Sequence, residues 1–394
     1  MIDRAERNFI EVDYHHTVKN GQVVSGDIFL SNKIREEGRI VAVLADGLGS
    51  GIKASVLATL TATMALKYTS SSIDFRTSAE VIMDTLPICS ERKVSYSTFT
   101  IVDVNSSGKA RIIEHGNPPY IFIHGRREVP VEKQEIILKK WSDRVINYSE
   151  LHMERGDRIV FFSDGVSQAG LGNRGTPMGW GKGVSEHVEQ CLRVDGEMSA
   201  WSMSRGIVKK ASWMDGKGPY DDITCGVIYL RRPRQLLVVT GPPFSMEQDT
   251  VLAQLVKNFP GRKVICGGTT ADIIARELDC DIAIDPRLSC SGMPPAGRME
   301  GVDLVTEGAL TIGRTAAMLE SGLKPNEDSC DPASLMAAML LDSDLVHFVV
   351  GTRVNEAHQD PRITVDLDLR RNIVRRIAGY LEKNYFKETR IKYI

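Results

Sequence analysis

The stretch Ala45-Asp46-Gly47-Leu48-Gly49-Ser50-Gly51 follows an apolar run, Ile40 to Leu44, and precedes Leu57, Leu60, Thr61 and Met64 at helical spacing. The run predicts a buried strand and the spacing predicts a helix. A carboxylate thus stands where a strand runs out, and three glycines separate it from the helix. Glycine lets backbone carbonyls and amides approach a ligand closely. A carboxylate and an exposed carbonyl at a strand end suit a hard cation such as Mg2+ or Mn2+. An isolated Asp-Gly after a strand is equally the mark of a turn. The reading therefore rests on whether other carboxylates share this setting.

Three other stretches do. Ser25-Gly26-Asp27 lies in a short strand read over Val23 to Leu30, which pairs with Ile40–Leu44 through a turn at Glu37-Gly38. Asp164-Gly165 ends an apolar strand that begins at Arg158. Asp221-Asp222 stands at the entry to the strand Ile223 to Leu230. If these ends converge, the carboxylates repel one another and their pKa values rise. Divalent cations relieve that. Two hard cations bridged by a carboxylate hold and deprotonate a water, and the natural reaction is in-line hydrolysis of a phosphoester.

Around these stretches, residues 9–18 read as a strand. His15 and His16 lie on it as adjacent residues facing opposite ways, so they do not ligate one metal together. Helices are expected over 52–69 and 76–89. Residues 96–104 and 109–114 alternate and form a hairpin across Asn105-Ser106-Ser107-Gly108. His115-Gly116-Asn117-Pro118-Pro119 breaks the pattern before Tyr120 to Ile123 resumes a strand. A Gly-rich loop over 170–183 precedes helices near 184–193 and 198–212. Arg231-Arg232-Pro233-Arg234 is a charged, proline-containing break. Before it strands run in hairpins; after it strands and helices alternate, which predicts a parallel sheet covered by helices. The expected division is 1–232 and 233–394.

The set SGD, ADGLGSG, FFSDGV and DDIT, in this order over about residues 10–230, resembles the metal-dependent serine/threonine protein phosphatases (PPM, protein phosphatase 2C class), and within them the bacterial branch of stage II sporulation protein E type. The resemblance implies an α/β/β/α sandwich with two Mn2+ or Mg2+ ions between two antiparallel sheets. By motif position it implies that Asp46 bridges both metals and Gly47 gives its backbone carbonyl. Asp27 matches an acidic position near the second metal, and Asp164 and Asp221 match ligands of the first. Asp222, grouped with the metal set, stands where many relatives have Asn. Asp46 and Asp27 are the catalytic candidates. Eukaryotic members have His directly after the Asp-Gly; here that place is Leu48, which leaves the general acid unassigned. His115 is displaced by one position from the branch's Ala-Gly-His-Asn-Pro-Pro. The branch also implies switch helices at 52–69 and 76–89 and a small regulatory phosphoprotein as substrate, such as an anti-sigma-factor antagonist.

The rest of the sequence narrows the class. With 394 residues, 42% hydrophobic and 25% charged, the chain is long enough for two cores. A net charge of -2 gives no electrostatic reason to expect nucleic acid. No apolar run reaches membrane-spanning length, and seven scattered cysteines suit a reduced, cytoplasmic protein. A homodimer is compatible with the sequence but not specified by it. Beyond residue 233 no family resemblance is found. Gly267-Gly268-Thr269-Thr270 is read as a tight turn with a Thr N-cap or as an anion cradle. Thr240-Gly241-Pro242-Pro243 lacks the Gly-Lys-Ser/Thr ending of a nucleotide phosphate loop. Pro294 to Arg298 reads as a loop. Cys266, Cys280, Cys290 and Cys330 lack metal-site spacing. A last helix, 367–385, has Ile373, Val374, Ile377 and Leu381 on one face to dock on its own domain. The functional expectation is a phosphoserine/phosphothreonine phosphatase; the alternative is a regulatory module that keeps the fold and signals through the C-terminal domain.

Overall fold

The computed structural model describes residues 8–34, 36–71, 77, 80–82, 84, 97–137, 145–173, 176–288, 294–322, 330–353, 362–385 and 387–394. They fall into two compact units, Met1–Arg232 and Pro233–Ile394.

The first unit is built from two antiparallel sheets. Strands β1 (Phe9–Thr17), β2 (Asp27–Ile34) and β3 (Arg39–Gly47) precede helix α1 (Gly51–Ser70). Then come β4 (Ser97–Asn105), β5 (Lys109–His115), β6 (Ile121–His124), β7 (Arg127–Glu128), β8 (Gln134–Ile137), β9 (Val145–His152) and β10 (Arg158–Phe162). Helices α2 (Asp164–Ser167), α3 (Gly183–Val194) and α4 (Ala200–Met214) lead to β11 (Ile223–Arg231). One sheet has the order β2-β3-β4-β5-β9-β8 and the other β1-β11-β10-β6-β7.

Strand alternation sorts the side chains into layers. Phe29, Ala42, Leu44, Val102, Phe161, Ile228 and Leu230 form one core, drawn from the facing sides of both sheets. Val41, Val43, Ala45 and Ile101 pack on Ala58, Ala62 and Ala65 of α1. Val160, Val227 and Tyr229 pack on Val184, Val188, Ile207 and Val208 of α3 and α4. The result is the α/β/β/α arrangement expected for this region. The buried face of α1 is small: Ala54, Ala58, Thr61, Ala62, Ala65 and Thr69. Leu60, part of the spacing that predicts the helix, is exposed, as are Ile52 and Val56. Small residues let the helix lie close on the sheet, so the large ones are left outside.

Other differences are local. β2 begins at Asp27 rather than Val23, and β3 runs on through Asp46 and Gly47. Strands β8 and β9 were not expected from the sequence. The helix expected over 76–89 lies largely outside the described residues.

The second unit has one sheet. Strands β12 (Gln235–Thr240), β13 (Arg262–Cys266), β14 (Ile282–Ile284), β15 (Gly297–Met299), β16 (Val302–Thr306), β17 (Leu345–Val350) and β18 (Glu388–Tyr393) take the order β14-β15-β16-β13-β12-β17-β18. The pairs from β16 through β18 are parallel, while β14-β15 and β15-β16 are antiparallel. Helices α5 (Asp249–Asn258), α6 (Gly268–Leu278), α7 (Ala309–Glu320), α8 (Pro332–Asp342) and α9 (Arg362–Tyr385) complete it. Gly297 and Arg298, read as loop, belong to β15, which is paired on both sides by β14 and β16, and β18 was missed because it is short and mixed in polarity. Ile373, Val374, Ile377 and Leu381 of α9 are buried in this unit's own core. The N-cap of α6 is Gly267, at φ 120°, so Thr269 and Thr270 lie inside the first turn. Cys266 is a buried free thiol, Cys280 is half-buried and Cys330 exposed; Cys290 is outside the described residues.

A carboxylate cluster at the sheet ends

The alternation that buries Ala42 and Leu44 between the sheets also carries Asp46 to that side, at the end of β3. On β2 the same rule places Asp27 with Phe29. The two are cross-strand partners, Asp27 directly opposite Asp46. Like charges directly opposite each other destabilise an antiparallel pair. On the facing sheet, Ser163 follows Phe161 and Thr224 precedes Ile228 with the same parity, so both hydroxyls face inward beside Asp27.

Asp27 is buried, with 6% of its surface exposed, and its Oδ2 has no hydrogen-bond partner. Burial raises its pKa to about 7; the Ser163 and Thr224 hydroxyls lower it, and Asp222 and Asp164 raise it again. Asp46 is pushed up to about 9, first by burial and then by Asp27, Asp164, Asp221 and Asp222. Asp164 is raised by burial and by Asp221, while Gln168 Nε2 donates to its Oδ2 at 3.0 Å. Five carboxylates therefore share one field. Lys19 lies within ion-pair distance, its Nζ 3.5 Å from Asp221 Oδ1.

Asp222 differs from its neighbours. Its Oδ1 accepts from Lys19 N at 2.9 Å and its Oδ2 from Gly26 N at 2.8 Å. Both oxygens are used to hold the segment that leads into Asp27. Its geometry is that of a tether, which the sequence grouping with the metal set did not anticipate. Gly47 and Gly165 are explained by close packing. A Cβ on Gly47 would stand 2.1 Å from the Ala54 carbonyl oxygen of α1, and one on Gly165 would stand 2.2 Å from Asp222 O. The first turn of α1 thus rests on the residue next to Asp46.

The carboxylates are neighbours but not a closed shell: among the described residues, no three His, Cys, Asp or Glu side chains are grouped closely enough to hold a metal as they stand. The donor chemistry nevertheless fits a hard divalent cation. The set is all oxygen, one buried oxygen lacks a partner, and two carboxyl groups are held high in pKa by burial and by the neighbouring carboxylates.

The remaining candidates separate by face. His115 has the parity of Ile113, which packs toward α1. Its Nδ1 is 3.1 Å from Val145 O and its ring lies against Phe99. It points away from the carboxylates. Asn117, from the same turn, accepts from Thr98 Oγ1 at 2.5 Å and donates to Thr100 Oγ1 at 3.1 Å. Thr98 is the cross-strand partner of Asp46, so this turn braces the site through Asn117. His16, read as an ordinary polar residue, lies opposite Thr224 with inward parity and is exposed. Sequence reading missed Lys19, Ser163 and Thr224. The parity of β10 and β11 would have found the last two.

Residues 36–231 match the family model of Stage II sporulation protein E (SpoIIE). The N-terminal unit is a SpoIIE-family domain. Among solved structures, the chain is similar to the PP2C phosphatase domain and regulatory-domain fragment of the cell fate determinant SpoIIE from Bacillus subtilis, at 18% identity and TM-score 0.47. That likeness covers 57% of this chain and 64% of the other, less than two thirds of its length. The RsbU and RsbW domains of a Mycobacterium tuberculosis protein are 15% identical, with 64% of this chain and 67% of that one covered and a TM-score of 0.46. RsbX in complex with magnesium is 16% identical, with 57% and 96% covered and a TM-score of 0.40. No curated protein matches the sequence. Among the described residues no helix is long and apolar enough to cross a membrane.

Proposed function

We propose that the SpoIIE-family unit is a Mn2+- or Mg2+-dependent phosphatase acting on phosphoserine or phosphothreonine of a regulatory protein. The observation that carries this is the Asp27–Asp46 pair: two carboxylates directly opposite on buried strand ends, one of them with an unpartnered oxygen. Asp27, Asp46, Asp164 and Asp221, with the Gly47 carbonyl, are the groups that would hold two ions, and Asp222 keeps the Lys19–Gly26 segment in place. When bound, such ions supply a deprotonated water and neutralise phosphoryl oxygens. Asp46 and Asp27 orient that centre at the mouth of the inter-sheet core, and Lys19 offsets the charge of Asp221.

A small regulatory phosphoprotein of the anti-sigma-factor-antagonist kind is the substrate proposed, in a reduced, cytoplasmic setting. The C-terminal unit is proposed to bind a ligand or recruit the substrate. In its sheet the strand order reverses at β12, between β13 and β17, and open α/β sheets bind ligands at such a point. The alternative, a regulatory module with the fold and little turnover, draws on one observation: the carboxylates do not form a closed shell.

Hydrolysis of p-nitrophenyl phosphate by the full chain separates the two. The phosphatase reading expects turnover that requires Mn2+ or Mg2+, and a loss of about 100-fold or more in Asp46→Asn, in line with removing a group that sets transition-state charge. Wild type without cation-dependent turnover would overturn it.

A further inference from the structure

A cavity of about 490 Å3 lies apart from the carboxylates, between the Thr176–Trp180 segment and helices α3 and α4. Its volume is in the range of ligand pockets. Trp180, His187, Lys210, Trp213 and Met178 line it, together with Glu186. Lys210 Nζ lies 3.2 Å from His187 Nδ1 and 5.3 Å from the centre of the Trp180 ring. Burial and then the Lys210 charge lower the His187 pKa, so the imidazole accepts from the ammonium rather than competing with it. Among the described residues no carboxylate is within ion-pair distance of Lys210. Beside this cation stand two large apolar side chains in water: Trp213 is 78% exposed and Met178 86%. Exposed Trp beside a positive charge is the composition of a protein-binding hot spot.

The cavity is built firmly and is joined to the carboxylate site. Asp215, at the end of α4, accepts from Gly170 N at 2.7 Å and Tyr220 N at 3.0 Å. Asn173 Nδ2 donates to Met214 O, and Gly181 N donates to Ser167 O, at 3.0 Å and 2.9 Å. A smaller cavity of about 250 Å3 lies beside Asp221 and is lined by Gln168, Leu171 and Tyr220. Leu171 is 52% exposed and Tyr220 63%. The loop after α2 and the C-terminal end of α4 contribute to both cavities.

We propose that this cavity is a docking pocket for the phosphoprotein substrate, taking a segment in which an acidic side chain adjoins an apolar one. The acid pairs with Lys210 and the apolar group packs on Trp213 and Met178. The proposal rests on the phosphatase reading and names the partner chemistry that reading leaves open.

The test uses phosphoserine peptides of one sequence in which Glu or Lys is placed at each position in turn next to a Leu. Binding is read by tryptophan fluorescence on the Asp46→Asn full chain, and turnover on wild type, with p-nitrophenyl phosphate as a small substrate that does not reach the pocket. At one position the Glu peptide should bind about tenfold more tightly than the Lys peptide, equivalent to about 1.4 kcal/mol. Lys210→Glu should reverse that order, and Trp213→Ala should weaken both peptides, each leaving the p-nitrophenyl phosphate rate within about twofold. Turnover should change through KM rather than kcat. A Glu preference that is absent at every position, or that survives Lys210→Glu, would overturn the docking pocket. Failure of p-nitrophenyl phosphate hydrolysis in wild type would instead count against the phosphatase reading, and the binding arm would still decide the pocket.

Discussion

The two ends of β3 bury carboxylates in opposite ways. At its start, Arg39 Nε lies 2.6 Å from Asp103 Oδ1, and Arg111 closes on the other oxygen at 2.5 Å. Arg39 also donates to Thr69 O at the C-terminal end of α1, where a cation is favoured. Asp103 is 3% exposed and has both oxygens paired. At the other end Asp46 faces Asp27, and burial, together with the neighbouring carboxylates, raises both pKa values. One buried acid is satisfied by the chain itself; the other pair is left for something the chain does not contain. The fold can neutralise a buried carboxylate where that suffices, so the contrast points to the unpaired end as the place for a cation.

The comparison can be broken from the satisfied end first. Arg39→Met leaves Asp103 buried with Arg111 alone and should destabilise the chain by about 3–5 kcal/mol in urea unfolding. A cost below 1 kcal/mol would mean that the triad is not what stabilises that end. At the other end the sign should invert. Above pH 9, where both carboxylates are ionised, Asp27→Asn removes one of two facing charges, so the cation-free protein should gain about 1 kcal/mol in the same assay while losing its response to Mn2+.

A pH series sharpens the contrast further. Asp27 and Asp46 have folded-state pKa values above the ordinary carboxylate value, so they contribute stability below pH 4 that is lost as pH rises through about 7 and about 9. In chelator, Tm should therefore fall between pH 6 and pH 9, by about 5 °C if roughly 2 kcal/mol is lost. Asp46→Asn should flatten that slope. A Tm that rises with pH would contradict the assignment.

How far the sequence foretold this depends on the residue. Asp27, Asp46, Asp164 and Asp221 were legible as a group of candidates because each stands at the end or entry of an apolar strand beside a small residue or a turn. The layered sandwich came from the family resemblance; the hairpins by themselves pointed only to antiparallel strands. The tether that Asp222 makes to the Lys19 and Gly26 amides was not legible, because those residues lie far from it in sequence. His115 drew attention by motif, yet its position on β5 sends it to the helix side. The packing face of α1 is made of alanine and threonine, since close approach to the sheet selects them over leucine. In the second unit the alternation of strands and helices gave the parallel core, but the short strands β15 and β18 carry too few residues for a period to show.

The central claim is that the Asp27–Asp46 end is a cation site. Its most direct test is thermal unfolding of the full chain at pH 8 with and without millimolar Mn2+, for wild type and Asp46→Asn. Mn2+ should raise the wild-type Tm by several degrees, about 2–4 °C for each kcal/mol of binding, and should leave Asp46→Asn nearly unmoved. Equal shifts in both proteins, or no shift in wild type, would contradict it.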